Sequence, residues 1–430
     1  MPPSFRTRRY DAGVAGSNRP PPTASERSAP VDDPTVHRRL RRQPSPRVWV
    51  LAAPRAGDAS QVLALAEALR WPYEVKKLAF RPLSLMLAPP FAASDAGIDR
   101  DRSSPLAPPW PDLILASGRE NEPVARWIRR QSQGRTRIVQ VGRPWGRIGN
   151  YDLVVTTPQY RLPSRPNVLQ NSMPLHRVTA ARLTAAADDW ERRLAHLPRP
   201  RIAVLVGGHS GPYALTRRSG ERLALAASAH AAAAGGSLLV TTSARTPAPA
   251  VRALEQRLAC PHMLYRWQPR DANNPYFAIL ALADEIIVTA DSVSMVTEAV
   301  ATGKRVHLFD TGQGWSSMRA PLPLRGQDRV AAPRPREWVR DFHLQARLYR
   351  WLLRLAPARV TRDIRLVHRH LVSSGRASWL GEPTPTAPPA PLDDVSRAVE
   401  RVKALMAHRP APVAEAAAGG IGQLAAEAAA

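Results

Sequence analysis

Asp291, Ser292, Ser294 and Glu298 crowd one point in the stretch TADSVSMVTEAVATGK, residues 289–304, where the apolar run ADEIIV gives way to a helical pattern. Hydroxyls and carboxylates there have two uses: they cap a helix, as Ser and Asp commonly do, or they hold a ligand. Helical spacing separates the two. At about 100° per residue from Ser292, the side chains of Val293, Val296 and Val300 share a stripe expected to face a sheet, while Ser294 and Glu298 share the opposite side. Capping accounts for Asp291 or Ser292 but not for Glu298. On this reading Glu298 faces water or a cleft, where a carboxylate can accept two hydrogen bonds from the vicinal diol of a ribose. Charge-assisted bonds of that kind are worth about 1.5–3 kcal/mol each before desolvation.

Four other segments place reactive or anion-binding side chains after apolar runs. In VGGHSGPYALT, 206–216, Gly207, Gly208 and Gly211 let backbone approach a ligand, and amides at a following helix start attract anions. His209 can donate to a phosphate or merely cap. The segment matches neither a P-loop nor GxGxxG. APRAGDASQ, 53–61, offers Asp58 as a general base toward an acceptor hydroxyl, beside Ser60 and Gln61; the plainer use of Asp58 or Ser60 is a helix cap. SGRENEP, 117–123, offers Arg119 to a phosphate or to Glu122. GRPWGRIGNYD, 142–152, brings Arg143 and Arg147 as forked donors and Trp145 as a ring that stacks on a ligand or covers a core edge.

Strands must hold these loops in place. The continuous apolar runs VWVLAA, DLILAS, TRIVQVG, YDLVVTT and NVLQ alternate with helical patterns up to PRPR at 198–201. The alphabet then restarts with IAVLVGG, SLLVTTS, MLYRW, EIIVT and RVHLFD. Strands apolar throughout belong to parallel sheets covered on both faces. The expected organisation is a disordered basic arm over 1–46, a Rossmann-like domain over 47–196 and a second over 199–380. A Pro-rich connector with a terminal helix occupies 381–410, and a low-complexity tail 411–430. A basic Trp/Leu/Arg helix is expected over 336–355. Ligands of such sheets sit at the carboxyl ends of the strands, so two tandem domains leave a cleft between them.

The 430 residues suit two cores, and the formal charge of +26 favours anionic partners such as nucleotide phosphates or anionic headgroups. Only Lys76, Lys77, Lys304 and Lys403 are lysines, so the charge is almost all arginine, in a composition also rich in Ala and Pro. The basic residues are scattered and no nucleic-acid module signature is present, so no specific nucleic-acid partner is expected. Cys260 is the single cysteine, which excludes an internal disulfide and a cysteine metal cluster. No apolar stretch approaches the ~20 residues that span a bilayer, and the N-terminus lacks a secretory core segment.

LVGGHSG followed by TADSVSMVTEAVATGKRVHLF resembles the C-terminal half of GT-B glycosyltransferases, among them the lipid-linked N-acetylglucosaminyl transferases of cell-wall synthesis. GDASQ, ASGRENEPVA, GRPWGRIGNYDLVVTTPQY, VGGHSGPY, TADSVSMVTEA and PPAPLDD together resemble the mitochondrial-fission-protein-like family, over roughly residues 47–405. The resemblance implies a GT-B-like α/β fold, two tandem Rossmann-like domains facing a central cleft. It implies a metal-independent transfer of a sugar from a nucleotide-diphosphate donor to an acceptor, with no further cofactor. The donor is then held by Gly207, Gly208, His209, Ser210, Gly211, Asp291, Ser292, Ser294 and Glu298. Arg119, Arg143 and Trp145 join the substrate site, and Asp58 serves as base. RAGDASQ departs here from the Gly-Gly-His segment typical of the cell-wall enzymes. The implied location is cytoplasmic, peripheral at an anionic inner membrane. Two alternatives share the fold: a non-catalytic scaffold that recruits a partner to a membrane, and a nucleotide-sugar epimerase.

Overall fold

The computed structural model describes residues 45–407 apart from 83–88, 90, 320–347, 350, 352–354, 356–360 and 384–391. Most of the N-terminal arm, most of the 336–355 helix and the 411–430 tail lie outside the described residues.

The first sheet holds β1 (Val48–Leu51), β2 (Tyr73–Lys76), β3 (Leu113–Ser117), β4 (Arg137–Val141), β5 (Leu153–Thr156) and β6 (Val168–Gln170), in the order β2-β1-β3-β4-β5-β6. Every pairing is parallel. Helix α1 (Ala56–Leu69) follows β1, and α2 (Asn121–Gln131) follows β3. One face packs Val48, Val50, Leu113 and Leu115 under Val62, Leu65 and Leu69 of α1. The other packs Leu51, Ile114 and Ile138 against Val124 and Ile128 of α2. This two-sided burial is why the strand sequences are apolar without alternation.

The chain then crosses through residues 171–179 to α3 (Ala180–Leu194), capped by Thr179, whose Oγ1 accepts from the Arg182 amide at 3.2 Å. The second sheet holds β7 (Arg201–Leu205), β8 (Ser237–Thr241), β9 (His262–Tyr265), β10 (Glu285–Thr289), β11 (Arg305–Phe309) and the two-residue β12 (Ser378–Trp379). Their order is β12-β11-β10-β7-β8-β9, again parallel throughout. Its helices are α4 (Arg217–Ala233), α5 (Ala248–Arg257), α6 (Tyr276–Leu282), α7 (Val293–Val300) and α8 (Arg365–Ser373).

Two helices sit away from their sequence neighbours. Leu183, Ala187 and Leu194 of α3 pack in the core of the second sheet, although the sequence reading groups that segment with the first domain. The terminal helix α9 (Asp394–Ala407) returns to the first sheet, where Ala398 and Val402 are fully buried. Asp394 fixes this return by accepting from the Ser172 and Met173 amides at 2.9 and 2.8 Å. Among the described residues, no helix is long and apolar enough to cross a membrane.

Candidate functional site

In a doubly wound sheet, a crevice opens where successive connections leave a strand in opposite directions. The first sheet has that point between β1 and β3, and the second between β7 and β10. Four of the five segments singled out by residue type follow these strands: 53–61 after β1, 117–123 after β3, 206–216 after β7 and 289–298 after β10; the fifth, 142–152, follows β4.

In the second sheet the switch point is stitched shut from within. The Gly207 amide donates to Thr289 Oγ1 at 2.7 Å, and the Gly208 amide to Asp291 Oδ2 at 2.8 Å. Gly208 is required by close approach, since a Cβ there would lie 2.0 Å from the Arg245 carbonyl oxygen. These two amides therefore serve the protein's own carboxylate and hydroxyl, not an open phosphate cradle. Asp291 is 1% exposed, and burial lifts its pKa above the usual carboxylate range, against the lowering effects of Arg245 and the Gly208 amide. Arg245 was missed in the sequence. Its Nη1 donates to the His209 carbonyl at 2.7 Å, and its Nη2 lies 3.7 Å from Asp291 Oδ2. His209 Nδ1 accepts from the Leu215 amide at 3.1 Å, a capping role. Ser210 closes a turn with Tyr213, and Gly211, at φ +56°, abuts the ring of Tyr349.

The opening cluster of α7 resolves differently from the expectation. Ser292 sits at the N-cap position but its side chain makes no capping bond, and Asp291 turns back to Gly208. Val293, Val296 and Val300 are buried as expected, but so is Glu298, at 9% exposure. The far side of α7 is not open: Tyr276 of α6 donates its hydroxyl to Glu298 Oε2 at 2.5 Å. Burial raises Glu298 to about 7, against the lowering effects of that hydroxyl and of Arg177. Ser294, one turn earlier, is half-buried and reaches across to the first sheet: a Cβ added at Gly57 would lie 2.8 Å from Ser294 Oγ. The loop after β1 and the start of α7 are thus in contact.

In the first sheet, α1 begins at Ala56, so Asp58 lies in its first turn and Ser60 and Gln61 lie inside the helix; neither Asp58 nor Ser60 is its cap. Asp58 is half-buried, and its charge reaches Tyr160. Arg119 is exposed and pairs with Glu120 at 3.0 Å rather than with Glu122. Glu122 is fully buried and anchors the Arg/Trp loop: it accepts from the Trp145 amide at 2.7 Å, the Gly146 amide at 2.8 Å and the Tyr151 hydroxyl at 2.5 Å. Trp145 is 43% exposed and covers no core edge. The guanidinium of Arg143 stacks 4.1 Å from its ring, and that of Arg119 lies 5.7 Å away. Arg147 is exposed.

Two further groups join Arg143 where the sheets meet. Tyr160 lies between Arg143 and Arg362, whose guanidiniums are 5.9 and 6.0 Å from its ring. Arg362 donates to Gln159 Oε1 at 2.7 Å, and Arg161 pairs with buried Asp363 at 2.7 Å, so the loop after β5 is tied to the start of α8. Desolvation lowers the pKa of Arg143, with Tyr160 and Tyr349 acting to raise it. Tyr349 therefore stands between Arg143 and Gly211 of the glycine loop. Arg245 and Arg362 carry no local motif, and Tyr160 ends the stretch GRPWGRIGNYDLVVTTPQY without being singled out there; the fold brings all three to the crevice.

Two parallel doubly wound sheets, with polar side chains at facing switch points, define a protein of the GT-B-like, two-Rossmann-domain class. Within it, the chain belongs to the family described as Mitochondrial fission ELM1, whose model matches residues 56–333. It is 30% identical over 223 residues to the mitochondrial fission protein ELM1 of Arabidopsis thaliana, covering 46% of this chain and 51% of that protein. The chain thus spans about half the length of that relative. It is 22% identical over 297 residues to the uncharacterized protein RP120 of Rickettsia prowazekii, covering 61% of this chain and 82% of that protein. Similar solved structures include ADP-heptose LPS heptosyltransferase II of E. coli, at 12% identity and a TM-score of 0.35, covering 61% of this chain and 84% of that chain. Another is UDP-GlcNAc 2-epimerase of Neisseria meningitidis bound to UDP-GlcNAc, at 11% identity and a TM-score of 0.38, covering 83% of this chain and all of that one. Neither likeness bears on activity.

Proposed function

We propose that the chain binds a nucleotide-diphosphate sugar between its two sheets and transfers the sugar to an acceptor. The observation that carries this reading is the meeting of both switch points, with Gly57 against Ser294 and Arg143, Tyr160 and Arg362 gathered beside them. A diphosphate entering there meets arginines drawn partly out of water, where an anionic partner is worth more than at the surface. Because the Gly207 and Gly208 amides are already used, the diphosphate contacts fall to Arg143, Arg245 and Arg362, with Arg119 at the rim. Trp145 offers a face for a flat ring. Glu298 keeps Oε1 for a ribose hydroxyl while Oε2 holds Tyr276. Asp58 acts as base toward the acceptor, and the leaving diphosphate is stabilised by guanidiniums.

A second reading is a scaffold without turnover. The internal use of the Gly207 and Gly208 amides and the burial of Glu298 favour it, because both remove groups from the donor site. Under either reading, the net charge of +26 and the exposed Leu348, Trp351 and Leu355 support peripheral contact with an anionic membrane. Incubation with labelled nucleotide sugars separates the readings. Turnover that Asp58→Asn abolishes without loss of donor binding supports the transferase. Absence of both binding and turnover with UDP, GDP, ADP, dTDP and CMP sugars supports the scaffold.

A further inference from the structure

Away from the crevice, three side chains from three elements converge on the second sheet: His230 from α4, Glu285 from the first position of β10 and His307 from the middle of β11. The nitrogen and oxygen atoms they offer lie within 4.8 Å of one another. His230 Nε2 is 2.9 Å and His307 Nε2 is 3.4 Å from the same atom, Glu285 Oε2. Around a four-coordinate zinc ion with bonds of about 2.0–2.1 Å, neighbouring donor atoms stand roughly 3.3 Å apart. The observed spacings straddle that value.

A hydrogen-bonded triad without an ion is the competing account, and the length of the His307 contact argues against it. Its contact with Glu285 is long for a charge-assisted bond, which runs about 2.7–2.9 Å. Its Nδ1 lies 3.2 Å from Ser378 Oγ on β12. In the tautomer a metal ligand needs, Nδ1–H is donated to that hydroxyl and the Nε2 lone pair faces Glu285 Oε2, where a cation would sit between them. A hydrogen bond from the other ring nitrogen of this kind fixes the orientation of a histidine ligand. Glu285 is held in the same sense. Its Oε1 takes Arg305 Nη1 at 2.9 Å, which turns Oε2 toward the imidazoles. Arg305 is 69% exposed, so water and salt screen its charge from the centre. Of the three, His230 also lines a cavity of about 390 Å³ beside Arg222, Arg319 and Trp379.

We propose that His230 Nε2, His307 Nε2 and Glu285 Oε2 form a binding site for a divalent transition-metal ion, zinc by the character of the donor set, with a fourth position open toward the cavity. An ion there ties α4 to β10 and β11. The sequence reading expected no metal site, and no ligand spacing announces one, because His230 and His307 stand 55 and 22 residues from Glu285.

The test is calorimetric titration of the metal-stripped full chain with Zn²⁺, and with Co²⁺ followed by visible absorption. The expected result is one ion per chain and a tetrahedral-type Co²⁺ spectrum. Half-exposed His230→Ala should lower affinity at least tenfold and remove the spectrum while leaving apo circular dichroism unchanged. Glu285→Gln is the second variant, should His230→Ala fold poorly. No Zn²⁺ binding by the wild type overturns the proposal. Wild-type affinity in a folded variant also overturns it, by placing the ion elsewhere.

Discussion

Replacing Glu298 by Gln should make the protein more stable above pH 7, not less. Burial raises this carboxyl from 4.5 to about 7. A group that titrates higher in the folded chain than in the unfolded one stabilises the fold in its protonated form. That contribution is full below about pH 4.5 and is lost as pH rises through 7. At about 1.4 kcal/mol per pH unit between the two values, the ionised carboxylate costs about 3 kcal/mol at pH 8 relative to the protonated one. Gln keeps the shape and an acceptor for the Tyr276 hydroxyl, which Glu298 Oε2 holds at 2.5 Å. Its amide nitrogen brings donors that Glu298 lacks, an offset of about 1–2 kcal/mol at any pH. The net expectation is a gain of about 1–2 kcal/mol at pH 8, a loss of similar size at pH 4.5, and a crossing between. Urea unfolding of both proteins across this range gives the difference curve, in which groups that titrate alike in both cancel. Parallel stability profiles, or a variant weaker at pH 8 than at pH 4.5 relative to wild type, would refute a buried Glu298 whose desolvation outweighs its Tyr276 hydrogen bond.

His368 titrates in the opposite sense. Buried, and donating Nε2–H to the Ala290 carbonyl at 2.7 Å, it is depressed to about 4 by desolvation. Its contribution is present above pH 6.5 and is lost as pH falls toward 4. His368→Gln, which keeps a donor, should remove up to about 3 kcal/mol of acid destabilisation over that range, read from unfolding at pH 4 and 7. Glu122→Ala strands two backbone amides and the Tyr151 hydroxyl. It should cost about 3–5 kcal/mol in chemical unfolding at pH 7. A loss below 1 kcal/mol would show that the Arg143–Trp145 loop is held by something else.

The sheets were legible because buried parallel strands write themselves as continuous apolar runs: LILAS, RIAVL and SLLVT are each buried at every position. The two-residue β12 is too short to leave a pattern. The site was legible in part. Strand order places four of the five flagged loops at a switch point and 142–152 after β4, but side-chain partners depend on what covers the loop. Helical spacing put Glu298 opposite the valine stripe correctly, yet could not show that Tyr276 covers that side. Asp291 reads as a cap until the fold brings Gly208 within 2.8 Å. Tyr160, Arg245 and Arg362, like His230 and His307, meet their partners only through long-range topology, which no local spacing encodes.

The central claim is that one anionic ligand is gripped from both sheets at the meeting of their switch points. Calorimetric titration with UDP, GDP, ADP, dTDP and CMP tests it most directly, on wild type, Arg143→Ala from the first sheet and Arg245→Ala from the second. The account predicts that one nucleotide binds the wild type and that each single variant weakens it about tenfold or more, as loss of a charged hydrogen-bond donor should. Binding that both variants leave intact, or binding by none of the five at millimolar concentration, would contradict it.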